Sequence, residues 1–149
     1  MDVSDFRKVI WSYTRKINEN MNQIFNPICE QYGLTILQLR ILMEIYKHVS
    51  HTVGSLAESI CVAGTNISAM CKKLEQMGLL KRVRDQEDER VVRLVLTAKG
   101  NQVVWETDQL LNERISQNMD DDLSGTFDDI FKGLKKLNDL LQRIASADK

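Results

Sequence analysis

Apolar residues return every third or fourth position through most of the chain, and the places where that rhythm breaks divide it into elements. Phe6, Ile10, Tyr13, Ile17, Met21, Ile24 and Ile28 fall on one stripe, which predicts a long helix from about Ser4 to Gln31. Pro27, the only proline, sits in its last turns and is expected to kink it, because proline lacks a backbone donor and clashes with the carbonyl four residues back. Gly33 is a good stop. Thr35-Ile-Leu-Gln38 reads as a capping box for a second helix, whose apolar face continues through Leu39, Leu42, Met43 and Tyr46 to about Lys47. After a polar break at residues 48–51, Thr52 can cap a short third helix through Leu56, Ala57 and Ile60. A fourth helix turns Ile67, Met70, Cys71, Leu74 and Met77 inward and closes at Gly78.

The period then changes. Leu79 to Arg84 and Val91 to Thr97 are short runs that mix apolar and basic residues, the second rich in β-branched ones, and the six polar residues Asp85 to Arg90 between them suit a solvated hairpin tip. Thr97 caps a long helix carrying Val103, Val104, Leu110, Leu111 and Ile115 to about Met119, and Asp120 to Asp122 marks a turn. The last helix begins near Ser124 and carries Phe127, Ile130, Phe131, Leu134, Leu137, Leu141 and Ile144. Gly133 within it costs about 1 kcal/mol, too little to cancel so long a pattern.

The order of elements predicts a mainly α fold with a small β-hairpin wing, a winged helix-turn-helix at about residues 35–97. It lies between helical segments at about 4–32 and 98–146, all within a single domain of 149 residues. Those flanking stripes exceed what one small domain covers by itself. They are expected to bury one another across a two-fold axis, making a homodimer; a monomeric bundle is the alternative.

Composition bears on partners more than on fold. The formal net charge is −1, so any polyanion must be met by a local patch. Such a patch exists on paper, since Lys72, Lys73, Lys81, Arg82, Arg84, Arg90, Arg93 and Lys99 outnumber Glu75, Asp85, Glu87, Asp88 and Glu89 between Ile60 and Lys99. From Asp120 onward seven aspartates face five basic residues, and a positive centre beside a negative tail orients a molecule on a polyanion. No window approaches a membrane span and the start does not read as a leader, which predicts a cytoplasmic protein without a membrane partner. The three cysteines lack CxxC spacing and read as small buried hydrophobes rather than a disulfide framework or zinc ribbon.

The outward face of the fourth helix carries Thr65, Asn66, Ser68, Ala69, Lys72, Lys73 and Gln76. Small polar groups hydrogen-bond base edges and lysines meet phosphates, so this face suits a major groove, although an ordinary solvated face has the same composition. Gly33-Leu-Thr35, Ser55-Leu-Ala57, Lys73-Leu-Glu75 with Gly78-Leu79, and above all Arg84-Asp85, Asp88-x-Arg90 and Leu96-Thr97-x-Lys99-Gly100 complete a pattern covering nearly the whole chain. In these residues the chain resembles the MarR-type winged-helix transcription regulators.

The resemblance implies a homodimer joined through its terminal helices that binds a near-palindromic double-stranded operator through the fourth helix and the wing. It further implies a repressor released by a small lipophilic or phenolic effector, or by an oxidant. It assigns to Asp88 the fixing of Arg90 for entry into a narrow minor groove, where the negative potential is strongest, with Arg84 beside them. Two departures stand out. Gln86 and Glu89 replace the proline and second arginine many members carry, and Ala63 stands where a serine cap often begins the recognition helix.

Regulation is read in the same way. Oxidant-sensing members place a reactive cysteine early in the first helix, but Val9-Ile-Trp-Ser-Tyr-Thr14 holds none, and Cys29 comes turns later. Cys61 and Cys71 keep a thiol-oxidation response as an alternative. Zinc-sensing relatives use histidine clusters, whereas only His48 and His51 occur here, so neither a metal nor a cofactor is expected. A ligand cleft lined by Trp11, Tyr13, Tyr46 and Trp105 is the remaining expectation, against plain core as the ordinary role of aromatics at helical spacing. No Ser/His/Asp set, paired-carboxylate motif, phosphate-cradling glycine loop or HExxH occurs, which argues against an enzyme. A winged helix that binds protein instead of DNA is the rival reading.

Overall fold

The computed structural model describes residues 2–48, 51–60, 64–119 and 123–147. Among them the chain forms α1 (Val3–Gln31), α2 (Ile36–His48), α3 (Val53–Ile60), α4 (Gly64–Gln76), β1 (Leu80–Arg84), β2 (Val92–Leu96), α5 (Ala98–Ser116) and α6 (Leu123–Ser146). The mainly helical fold with a hairpin wing is as expected, each boundary falling within a few residues of its sequence signal. The strands are shorter than those runs, since Leu79 and Thr97 stay joined by one hydrogen bond but belong to the connections with α4 and α5, and the Val91 amide turns back to the Asp88 carbonyl. Cys61, Ala63 and Asp120 to Asp122 lie outside the described residues, as do the side chains of Thr65 and Ser124.

Local chemistry sets the helix ends. The Thr35 amide donates to Gln38 Oε1 at 2.9 Å while the Gln38 amide donates to Thr35 Oγ1 at 3.2 Å, closing the capping box. Thr52 and Ser55 exchange the same pair of bonds at α3, each 3.0 Å. Replacing Thr35 with Ala should lower stability by ~1 kcal/mol, read as an earlier midpoint of chemical denaturation with unchanged slope; an unshifted midpoint would show that the cap contributes nothing. α1 passes through Pro27 as one element and ends in a Schellman motif. Its Gly33, at φ 64°, donates to the Glu30 carbonyl, and Leu34 donates to that of Cys29. α4 ends identically at Gly78, with φ 73°.

Chain contacts divide the protein into two compact units, Met1–Asn112 and Glu113–Lys149. The first contains the core: Leu39, Ile41, Leu42 and Ile45 of α2, Leu56 and Ile60 of α3, and Ile67, Cys71 and Leu74 of α4. Leu79, Leu80, Leu94, Val103 and Val104 close it. The hairpin is antiparallel, pairing Leu80 with Leu96 and Arg84 with Val92. His51, just before α3, adds a further bridge to Leu94. Only Ile28 and Cys29 of α1 are buried, Cys29 within this core, and Trp11, Tyr13, Ile17 and Met21 are exposed. In the second unit α6 leaves Phe127, Ile130, Phe131, Leu134, Leu141 and Ile144 exposed.

Candidate nucleic-acid interface

Residues 64–76 form a helix because an apolar edge at Ile67, Cys71 and Leu74 repeats at helical spacing, and its burial against α2, α3 and β1 turns the opposite edge outward. Asn66, Ser68, Ala69, Lys72 and Lys73 all lie on that exposed edge. Among the described residues the side chains of Asn66, Ser68, Lys72 and Lys73 make no hydrogen bond or ion pair. The face therefore holds its donors uncommitted. Glu75 is different, taking the Arg82 guanidinium at 3.1 Å and tying α4 to β1.

The wing tip is organised by acidic residues rather than apolar ones. Asp85 accepts the Glu87 amide at 2.8 Å and the Asp88 amide at 3.3 Å, and it pairs with the Arg93 guanidinium on the opposite strand. That arginine, then the two amides, holds its carboxyl below the usual carboxylate range. The folded-state value is depressed, so this restraint is present at neutral pH and is lost only as the pH falls through it. Asp88 accepts the Arg90 backbone amide at 3.0 Å. It fixes the main chain on which Arg90 is mounted rather than the guanidinium, because the tight turn brings that amide, not the long side chain, to the carboxylate. Arg84 donates to the Glu89 carbonyl at 3.3 Å, and Arg84, Asp88 and Arg90 are all exposed.

The four aromatics separate. Tyr46 and Trp105 share a cavity of about 390 Å3 with Arg40, Met43, Glu44 and Asp108, between α2, α3 and α5. Trp11 lies in a different groove along α1 with Ile10, Arg15 and Asn22, and Tyr13 stands beneath Lys16, its ring 5.7 Å from the ammonium. None is plain core within one chain, since Trp11 is 76% and Trp105 54% exposed. Arg40, whose guanidinium reaches the Ile60 carbonyl at 3.5 Å, and Asp108 are cavity residues that no periodic pattern singles out.

Burial pushes the Cys71 thiol up to about 11 and raises that of Cys29, the direction that keeps a thiol protonated and unreactive. Glu44 Oε1 lies 3.4 Å from His48 Nε2 and 4.0 Å from His51 Nε2, the latter buried without a hydrogen-bond partner among the described residues. Among the described residues no group of three histidine, cysteine or carboxylate side chains is arranged to hold a metal ion. None of the described helices is long and apolar enough to cross a membrane.

Comparison with known proteins agrees with this geometry. A MarR family protein from Bacillus stearothermophilus superposes with a TM-score of 0.76 at 22% identity, over 95% of this chain and 99% of that one. Reduced AbfR bound to DNA superposes with a TM-score of 0.72 at 21% identity, over 95% of this chain and 99% of that one. Both likenesses concern the fold. The organic hydroperoxide resistance transcriptional regulator of Bacillus subtilis is 30% identical over 83 residues, 56% of this chain and 56% of its own length. The match thus spans little more than half of that relative. The MarR-type resemblance read from the wing is borne out by these neighbours, and the sequence model of the family described as transcriptional regulator SarA/Rot matches residues 23–107, more than half of the chain. By that match, carried on a winged helix whose α4 leaves a polar face exposed, the chain belongs to the SarA/Rot family of transcriptional regulators.

Proposed function

We propose that this regulator binds double-stranded operator DNA as a homodimer, placing α4 in the major groove and the wing against the adjacent minor groove. One observation carries the reading: α4 spends its apolar edge on the core and leaves Asn66, Ser68, Ala69, Lys72 and Lys73 exposed beside a wing bearing Arg84 and Arg90. Thr65 continues that face in sequence. Asn66 and Ser68 read base edges, Lys72 and Lys73 meet phosphates, and Arg90, on a turn held by Asp88, reads groove width. Residues of about 35–97 form the DNA-binding lobe and about 4–32 and 98–146 the dimerisation lobe. A near-palindromic site with half-sites roughly 34 Å apart follows from two-fold symmetry. Such a protein works in the cytoplasm, where its DNA is, and needs no catalytic group.

The experiment is selection of bound duplexes from a random pool, followed by footprinting on the chain's own upstream region. Protection of two half-sites, with log affinity falling linearly with log salt, is the expected result. Salt-independent binding, or no duplex recovered, would favour a protein partner.

The cavity bearing Tyr46 and Trp105 is the place for a small lipophilic or phenolic effector that relieves repression, and Trp105 fluorescence reports its filling. The hydroperoxide relative raises the question of a thiol response, but the buried Cys29 and Cys71 support a regulator that does not sense oxidants through them. A variant with Ala at Cys29, Cys61 and Cys71 should bind duplex as the wild type does, before and after treatment with an organic hydroperoxide. Release of DNA by hydroperoxide from the wild type alone would restore the thiol reading.

A further inference from the structure

The stretch Leu96-Thr97-x-Lys99-Gly100 touches none of the proposed DNA contacts, yet it grips the end of the helix that carries them. Lys99 Nζ donates to the Met77 carbonyl at 3.0 Å, Thr97 Oγ1 to the Gly78 carbonyl at 2.6 Å, and the Thr97 amide to the Leu79 carbonyl at 3.1 Å. Three consecutive carbonyls leaving α4 are thus held by the residues that open α5. The same Thr97 hydroxyl accepts the Gly100 amide at 3.0 Å, so one atom caps α5 and holds α4. Gly100 completes the joint, since a Cβ there would stand 2.1 Å from the Leu79 carbonyl oxygen. The carbonyls of Lys73, Leu74 and Glu75 are already taken by the Met77, Leu79 and Gly78 amides in the turn that closes α4, and Thr97 and Lys99 hold those of Met77, Gly78 and Leu79, along which the chain leaves the helix.

We propose that Lys99 and Thr97 are positioning residues for base recognition, which rests on the DNA-binding reading above: their bonds to the Met77 and Gly78 carbonyls set the tilt of α4. The apolar edge of Ile67, Cys71 and Leu74 fixes how deeply the helix sits, but apolar packing is non-directional, whereas the carbonyl bonds are directional. Asn66 lies eleven residues before Met77. At the α-helical rise that is about 16 Å, so a tilt of ~10° at the joint moves Asn66 by about 3 Å, the length of a hydrogen bond. Loss of the joint therefore falls on base contacts at the far end, while phosphate contacts by long lysines adapt.

The test is fluorescence anisotropy of Lys99→Met and Lys99→Arg with two probes, the duplex selected by the wild type and a scrambled duplex of equal length, across a salt titration. Lys99→Met is expected to lower the selected-to-scrambled affinity ratio by roughly tenfold at an unchanged salt slope, as for loss of a base contact. Lys99→Arg, which also donates at that reach, is expected to restore the ratio. A ratio unchanged in Lys99→Met overturns the proposal. So does a slope reduced by about 0.9 at constant ratio, which makes Lys99 a phosphate contact. Amide hydrogen exchange without DNA separates this from the parent reading. Faster exchange across the last turn of α4 in Lys99→Met supports the joint even if no duplex is bound, and unchanged exchange counts against it.

Discussion

Replacing Leu134 and Leu141 together with Asp is expected to give a folded monomer that binds the selected duplex at least a hundredfold more weakly than the wild type. The two side chains are 54% and 44% exposed in the single chain, so the substitution removes little internal packing. In the proposed dimer it would bury carboxylates without partners, a cost of several kcal/mol that a helix interface does not absorb. Two half-sites held by one dimer gain about 10²–10⁴ in avidity over one, which sets the size of the loss. Sedimentation velocity at micromolar concentration reads the mass and circular dichroism confirms retained helix. A wild type that sediments as a monomer, or a variant that stays dimeric, would remove α6 from the interface.

The wing and the recognition helix are expected to fail in different ways. Arg90→Ala should weaken binding by about 1–3 kcal/mol and lower the salt slope by about one unit, because it withdraws a charge from the phosphate-lined groove. Asp88→Ala should cost less, since the carboxylate acts through the Arg90 backbone amide and the guanidinium remains. Asn66→Ala and Ser68→Ala should relax base preference at particular operator positions without changing the slope, as neither carries charge. Lys72→Ala should weaken all duplexes about equally. Titrations of each variant on selected and scrambled duplexes check the set. Arg90→Ala binding as tightly as the wild type at every salt concentration would refute the wing assignment.

The joint between α4 and α5 gives these two modes a common frame. Glu75 and Arg82 connect the recognition helix to β1, and Thr97 and Lys99 connect it to α5, whose Trp105 lines the cavity two turns further on. A molecule filling that cavity would act on the element that holds the end of α4. Coupling of this kind requires that the effector bind the two orientations of α4 with different affinity, since equal affinity shifts nothing.

Features confined to a few neighbouring residues were legible from the chain alone. Thr35 with Gln38, Thr52, and the glycines at 33 and 78 state their caps within four residues, because the atoms that satisfy a helix end lie on adjacent turns. Helical stripes and the wing's alternation were legible for a related reason: which side of an element is buried follows from its own period. Even the exposed stripes of α1 and α6 were announced by apolar runs longer than one small domain's core can cover.

Whatever joins distant segments was decided only by the tertiary structure. The resemblance assigned Arg90 to Asp88 and gave Asp85 no partner, whereas strand register pairs Asp85 with Arg93, and Asp88 holds the Arg90 amide. The sequence offered the four aromatics as one cleft, but folding brought only Tyr46 and Trp105 into one cavity and set Arg40 and Asp108 beside them. Lys99 belonged to a basic window and to the Leu96 to Gly100 signature without a stated role until the fold placed its ammonium on the Met77 carbonyl, twenty-two residues away. Periodicity reports which side of an element faces inward and carries no information about what it meets there; that depends on packing between elements, where shape and directional bonds select one partner among chemically equal candidates.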